Sequence, residues 1–256
     1  MARRKLFGPR SFARAIFLLA LLLGGGGLSQ CQALGGGSPA ARVAQNAEAS
    51  SAATLSQVPA YGRDPYVYIS ASAAFPRGEA HFTESELARA KEGPFETYSP
   101  LDALGRCGTA LACAGRDTMP TAKRGDIRKI KPTGWRQEFY SFVDQEALYN
   151  RCHLIAHSLT GENANAQNLI TGTRYMNVQG MLPFEEEAVA YIKRTGNHVL
   201  YRATPIFGGD NLLASGVQLE AQSVEDDGEG IEFNVYCYNV EPGVAIDYST
   251  GDSHAE

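Results

Sequence analysis

The sequence predicts an α+β domain with a central antiparallel sheet flanked by helices, and three observations carry that expectation. Four runs rich in β-branched and aromatic residues, His198 to Phe207, Val217 to Ser223, Ile231 to Val240 and Val244 to Tyr248, follow one another with no helical pattern between them. Asp226-Asp227-Gly228 separates the second and third of these, and such a triplet supplies the positive-φ residues of a hairpin turn. Helix signals are confined to a few short stretches upstream.

Along the chain, Pro65 to Ser70 (Pro-Tyr-Val-Tyr-Ile-Ser) reads as a strand. Thr83 and Glu86 have the spacing of a capping box, so a short helix starts there and carries Leu87 to Ala90. Tyr98 to Leu104 and Cys107 to Ala114 read as extended segments, with Gly105 and Gly115 as breaks. Phe139 to Phe142 and Leu148-Tyr149 read as strand residues leading into Asn150-Arg151-Cys152-His153, and Thr160 to Gln167 as a loop. Thr173 to Gln179 predicts a helix that Gly180 breaks. Pro183 then opens another, which runs through Glu185-Glu186-Glu187 to Lys193-Arg194 and stops ahead of Gly196.

Residues 1–31 read as a leader: five basic residues and no acid, with an apolar run from Ala15 to Leu23 too short to span a bilayer comfortably. Leu28-Ser29-Gln30-Cys31 faintly resembles a lipoprotein cleavage box, and lipidation of Cys31 would add membrane association. Residues 32–58, rich in Ala, Ser and Gly, read as a flexible tether, and the folded unit is expected over 59–251. The whole chain has a formal charge of -5, but without the leader 18 Lys+Arg face 28 Asp+Glu. That balance argues against static DNA binding while leaving room for an enzyme that meets a polymer through a local patch. The one basic cluster outside the leader is Lys123, Arg124, Arg128, Lys129, Lys131 and Arg136 around Trp135, and a phosphate backbone is expected near it. Cys107, Cys113, Cys152 and Cys237 allow two disulfides in three pairings or four buried thiols.

The stretch richest in chemistry is Asn150 to His153 with Asn168 and Asn177 downstream. A histidine can take a proton from water near neutral pH. An arginine two residues earlier on an extended segment projects to the same face and can fork onto phosphate. An asparagine amide oxygen is a hard neutral ligand suited to Mg²⁺. His153 and His157 are four apart, as zinc ligands on a helix would be, but the zinc-protease pattern needs Glu directly after the first His, and Leu154 stands there.

The run Asn150-Arg151-Cys152-His153-Leu154-Ile155-Ala156 resembles the Asp-Arg-Gly-His motif of the DNA/RNA non-specific endonucleases, a ββα-metal nuclease family that includes secreted streptodornase-type deoxyribonucleases. The similarity extends through Asn168 to Asn177 and spans roughly Leu104 to Ser253. It implies a ββα-metal fold and Mg²⁺-dependent cleavage of DNA, with RNA as a second substrate and Mn²⁺ able to substitute. His153 takes the place of the general base, Arg151 of the phosphate-binding arginine and Asn177 of the metal ligand. Asn168 and Glu185 are expected to orient the histidine or the metal's water shell. Lys123, Arg124, Arg128, Arg136 and Arg174 are expected along the substrate. No stable protein partner is implied. Asn150 replaces the motif's Asp and Cys152 its Gly; these departures keep open a nuclease-fold nucleic-acid-binding or surface protein without turnover.

Overall fold

The computed structural model describes residues 54–70 and 78–256. The expected leader, and nearly all of the expected tether, lie outside those residues. Among the described residues no helix is long and apolar enough to cross a membrane.

Six strands form the main sheet: β1 (Tyr66–Tyr68), β2 (Phe95–Tyr98), β3 (Ala110–Ala114), β6 (Val199–Ile206), β7 (Gly216–Ser223) and β8 (Glu232–Tyr238). They lie in the order β1-β8-β7-β6-β3-β2, and every neighbouring pair is antiparallel. Asp227 and Gly228 both adopt positive φ at the β7–β8 turn, as the sequence required. Two further pairs stand apart from the sheet: β4 (Tyr149–His153) with β5 (Leu169–Thr173), and β9 (Val244–Ile246) with β10 (Ser253–Ala255).

Helix α1 (Glu84–Glu92) begins with the expected capping box, Thr83 accepting from the Glu86 amide and Glu86 accepting from the Thr83 amide. Arg202 of β6 ties it to the sheet, donating to Glu86 and to the buried Glu220, each at 2.9 Å. Ala90 and Phe82 pack with Cys113 and Leu200 on this face. On the opposite face Phe184, Ala188, Tyr191 and Ile192 of a longer helix meet Tyr201, Leu219, Phe233 and Val235 in the main core. Helices therefore flank the sheet on both faces. The β4–β5 hairpin joins the same core through Cys152 and Ile170.

Several expected boundaries shift. The chain from 99 to 106 turns instead of extending, because Asp102 Oδ1 accepts from the Leu104 and Arg106 amides; the strand lies earlier, at 95–98. Phe139 makes only an isolated bridge to Ala147, since Gln145 and Glu146 reverse the chain with positive φ. Leu55–Gln57 already forms a 3₁₀ turn inside the expected tether, and β10 extends the fold past 251.

Gly180 does not break a helix. The chain is helical without interruption from Arg174 to Thr195, with a π segment at Met176–Met181 leading into α3 (Leu182–Thr195); α2 is the short His157–Thr160 helix. Pro183 has no amide hydrogen for the Gln179 carbonyl and its ring would crowd that carbonyl; widening one turn to i→i−5 bonding, as in Leu182 N–H to Asn177 O, relieves both. Gly180 is there for proximity: a Cβ would sit 3.2 Å from Cys237 Cβ on β8. Gly180→Val is expected to cost about 1–3 kcal/mol in urea unfolding by overpacking this contact. An unchanged midpoint would contradict the close approach.

Candidate active site

A cleft of about 590 Å³ opens between the β4–β5 hairpin, the 124–137 loop and the π segment with the start of α3. Its wall includes Arg124, Trp135, Asn150, Arg151, His153, His157, Arg174, Asn177 and Glu185. Most of the residues singled out in the sequence are thus brought to one place.

His153 is buried at the end of β4, 6 % exposed. Its Nε2 lies 2.9 Å from the Asn163 carbonyl, which can only accept, so the proton is on Nε2. Nδ1 then carries the lone pair, and Arg124 Nη2 donates to it at 2.8 Å. Burial, with help from the Arg124 and His157 charges, pulls the imidazole's pKa down to about 4. The ring is therefore a neutral base at physiological pH.

The position of His153 is fixed by Asn168, whose Oδ1 accepts from the Ile155 amide at 2.8 Å while its Nδ2 donates to the Ile155 carbonyl at 3.0 Å. Asn168 is fully buried and does not line the cleft; its amide clips the turn that follows the histidine. Gln137 acts similarly at the other end of β4, bonding the Tyr149 amide and carbonyl at 2.7 and 2.9 Å. Cys152 packs into the core, and its Sγ fills the space where a Cβ on Gly172 would lie 2.5 Å away. The residue that replaces the motif's glycine is thus matched by a glycine on the adjoining strand. Cys107, Cys113, Cys152 and Cys237 are all free and buried.

Arg151 stacks on Trp135, its guanidinium 4.0 Å from a ring centroid, and donates to the carbonyls of Ile130 and, at 2.9 Å, Arg128. Part of its donor set holds the basic loop in place. Of the other expected substrate residues, Arg124 and Arg174 line the cleft, the latter with Nε 2.8 Å from Asp144 Oδ2. Lys123 is exposed and off the wall, Arg128 pairs with Asp126 at 2.9 Å, and Arg136 pairs with Asp252 at 3.3 Å.

Asn177 and Glu185 face the cleft together. Residues eight apart on an unbroken α-helix would be out of line by about 80°. The π turn advances fewer degrees per residue and takes up that excess. Glu185 has its pKa raised to about 7 by burial, against the opposing pull of Arg124. Asn150 also lines the cleft, and its buried Nδ2 has no hydrogen-bond partner. A half-turn of that amide exchanges nitrogen for oxygen. His157 begins α2 whereas His153 ends β4, so the two do not share a helix face as zinc ligands spaced by four would.

Sequence reasoning missed the roles of three contributors. His157 was noted only for its spacing from His153, which suits zinc ligands on a helix, and not for a place in this cleft. Gln137 works through backbone contacts, and Asn163 through its carbonyl, which any residue would offer. For His153 the folded pKa lies below the unfolded value near 6.5, so its contribution to stability is present above about pH 6.5 and lost as pH falls toward 4. His153→Gln should remove a loss of up to about 3 kcal/mol across that window, measured as the difference between the two proteins' pH–stability curves. Superimposable curves would contradict the buried neutral ring.

The fold is shared with known nucleases. A family profile described as DNA/RNA non-specific endonuclease matches residues 85–225. Crystal structures of NucA from Streptococcus agalactiae superimpose with a TM-score of 0.57 over 64% of this chain and 79% of that one, at 26% identity without metal and 25% with magnesium bound. The Sda1 nuclease with bound zinc gives 0.59 at 26% identity, covering 75% of this chain and 97% of its own. With more than half of its length matched by the profile, the chain belongs to the DNA/RNA non-specific endonuclease family.

Proposed function

We propose that this protein is an exported, divalent-metal-dependent endonuclease that hydrolyses phosphodiester bonds of DNA, and of RNA as a second substrate, without sequence preference. The observation that carries this reading is a neutral, buried histidine whose basic nitrogen faces a cleft shared with arginines, an asparagine and a carboxylate. NucA with magnesium and Sda1 with zinc support a divalent ion in this reading, and the leader at 1–31 supports export.

The residues present fit such an ion. Asn177 and Glu185 offer hard oxygen donors on one helical face, and Asn150 is a buried amide still lacking a partner. These suit Mg²⁺ or Mn²⁺ better than a thiolate-rich or all-histidine site would. Asn177 would hold the ion, with Glu185 and Asn150 bonding to its waters. When bound, it supplies Lewis-acid stabilisation of the negative charge that develops on the phosphoryl and leaving oxygens.

The remaining work falls to side chains. His153 Nδ1 takes the proton from the attacking water, and its Nε2–H stays on the Asn163 carbonyl, which fixes the ring and steadies the imidazolium that forms. Arg124 must leave Nδ1 for this to happen. A phosphate oxygen is a better acceptor for a guanidinium than a neutral imidazole, so substrate would draw Arg124 away and expose the base. Arg151 and Arg174 add charge-assisted donors from the two other walls. Contacts of this kind read the sugar-phosphate backbone, and low sequence specificity follows. Neither departure from the motif removes the base or the ligand: Cys152 is buried in the core and Asn150 keeps a polar group in the cleft.

Cleavage of plasmid DNA and of RNA, measured side by side with and without Mg²⁺, tests the reading. Activity should require the metal and fall roughly 10²- to 10⁴-fold in His153→Ala, with no rescue by excess metal. Asn177→Ala should lose about tenfold or more at low Mg²⁺ and recover part of it as Mg²⁺ rises. Equal rescue of both variants would overturn the role assignment, and metal-independent cleavage would overturn the mechanism.

A further inference from the structure

Phe139 is 68 % exposed, the most exposed large hydrophobic side chain among the described residues, and it stands on the segment that walls the cleft. Trp135 and Gln137, four and two residues before it, both line the cleft, and Phe139 itself lies just outside that lining. Its bridge partner gives its direction. Phe139 pairs antiparallel with Ala147, directly paired residues project to the same side, and Ala147 lines the cleft. The ring is held on a firm backbone: Leu148 N donates to Glu138 O at 3.0 Å and Tyr140 N to Glu146 O at 2.8 Å. Of the neighbouring aromatics, Tyr140 pairs with Phe142 at 5.5 Å between ring centroids, and Phe142, though also exposed, lies beside Gly243. The same turn supplies Asp144, which holds the cleft residue Arg174.

We propose that Phe139 is a stacking platform for a nucleobase of the strand whose phosphate occupies the cleft, and that the enzyme consequently favours single-stranded or locally unpaired substrate. The inference rests on the nuclease reading above and deepens it. A flat apolar face at the rim of a site lined by arginines suits the two halves of a nucleotide, the base on the ring and the phosphate on the guanidinium groups. Every base offers a π face, so the contact adds affinity without adding sequence preference. In a duplex the base is already stacked and paired, and it must be turned out before it can reach the ring.

Steady-state cleavage of a single-stranded oligonucleotide and its duplex by the full chain, with Phe139→Ala and Phe139→Trp, provides the test. Quenching of 2-aminopurine in a single strand bound in EDTA supplies a readout that needs no turnover. Phe139→Ala should raise KM for the single strand roughly 5- to 100-fold with kcat little changed. Phe139→Trp should restore it, the duplex should respond less, and a strand of abasic sites should bind wild type no better than the alanine variant. Equal KM for wild type and Phe139→Ala on the single strand would overturn the proposal. So would an equal loss on base-containing and abasic strands, or a change confined to self-association in sedimentation. If wild type cut neither substrate the nuclease reading would fail, while base-dependent quenching lost in Phe139→Ala would still support the platform.

Discussion

The helix from Arg174 to Thr195 has to pass a proline without breaking, and the cleft depends on how it does so. Pro183 cannot bond to the Gln179 carbonyl, and the chain answers with a π turn over Met176–Met181. That turn rotates Asn177 onto the face that carries Glu185. Gly180 lets the widened turn lie directly on β8, where any side chain would meet Cys237. One local hydrogen-bonding deficit thus sets which polar groups look into the cleft, and the sheet behind it holds the result in place.

The opposite wall is built from constraints on the backbone. Asn168 clips Ile155, Gln137 clips Tyr149, and the Asn163 carbonyl fixes the ring of His153. Together these leave the imidazole one orientation, with Nδ1 turned to the cleft. Arg124 covers that nitrogen. Outside residues 1–31 acidic residues outnumber basic ones, yet Arg124, Arg151 and Arg174 all line the cleft with this neutral base. An enzyme that must release a polymer after each cut is suited by such an arrangement, since counter-ion displacement is confined to a few phosphates.

The sheet was legible because its strands are rich in β-branched and aromatic residues and are punctuated by strong turn chemistry, as at Asp227-Gly228. The capping box of α1 was legible because it is purely local. Misreadings came where a residue type has two uses. Gly180 looks like a helix breaker in sequence, yet serves close packing against a strand more than fifty residues away in the chain. Phe139 and Phe142 look like strand residues, yet the non-glycine positive-φ pair Gln145-Glu146 folds the chain back beside them. In the site, Arg151, His153 and Asn177 were singled out from their side-chain chemistry and the family resemblance, and Glu185 from the resemblance alone; all four line the cleft, as does Asn150, which stood out only as a departure from the motif. Asn168 was found as well, but its amide is spent on the backbone. The contacts of His153 were hidden, because one partner is a main-chain carbonyl and the other, Arg124, was expected on the substrate and not on the ring.

His153 and Asn177 line one cleft, and in the proposed function that cleft holds a divalent ion beside the base. Paramagnetic broadening by substoichiometric Mn²⁺, read on the imidazole and side-chain amide resonances of the intact protein, tests this most directly. The Asn177 amide and the His153 ring should broaden together and first, while His198, bonded to Glu225 at 2.6 Å, stays sharp. Broadening centred on His198, or on Asn177 with His153 unaffected, would contradict it.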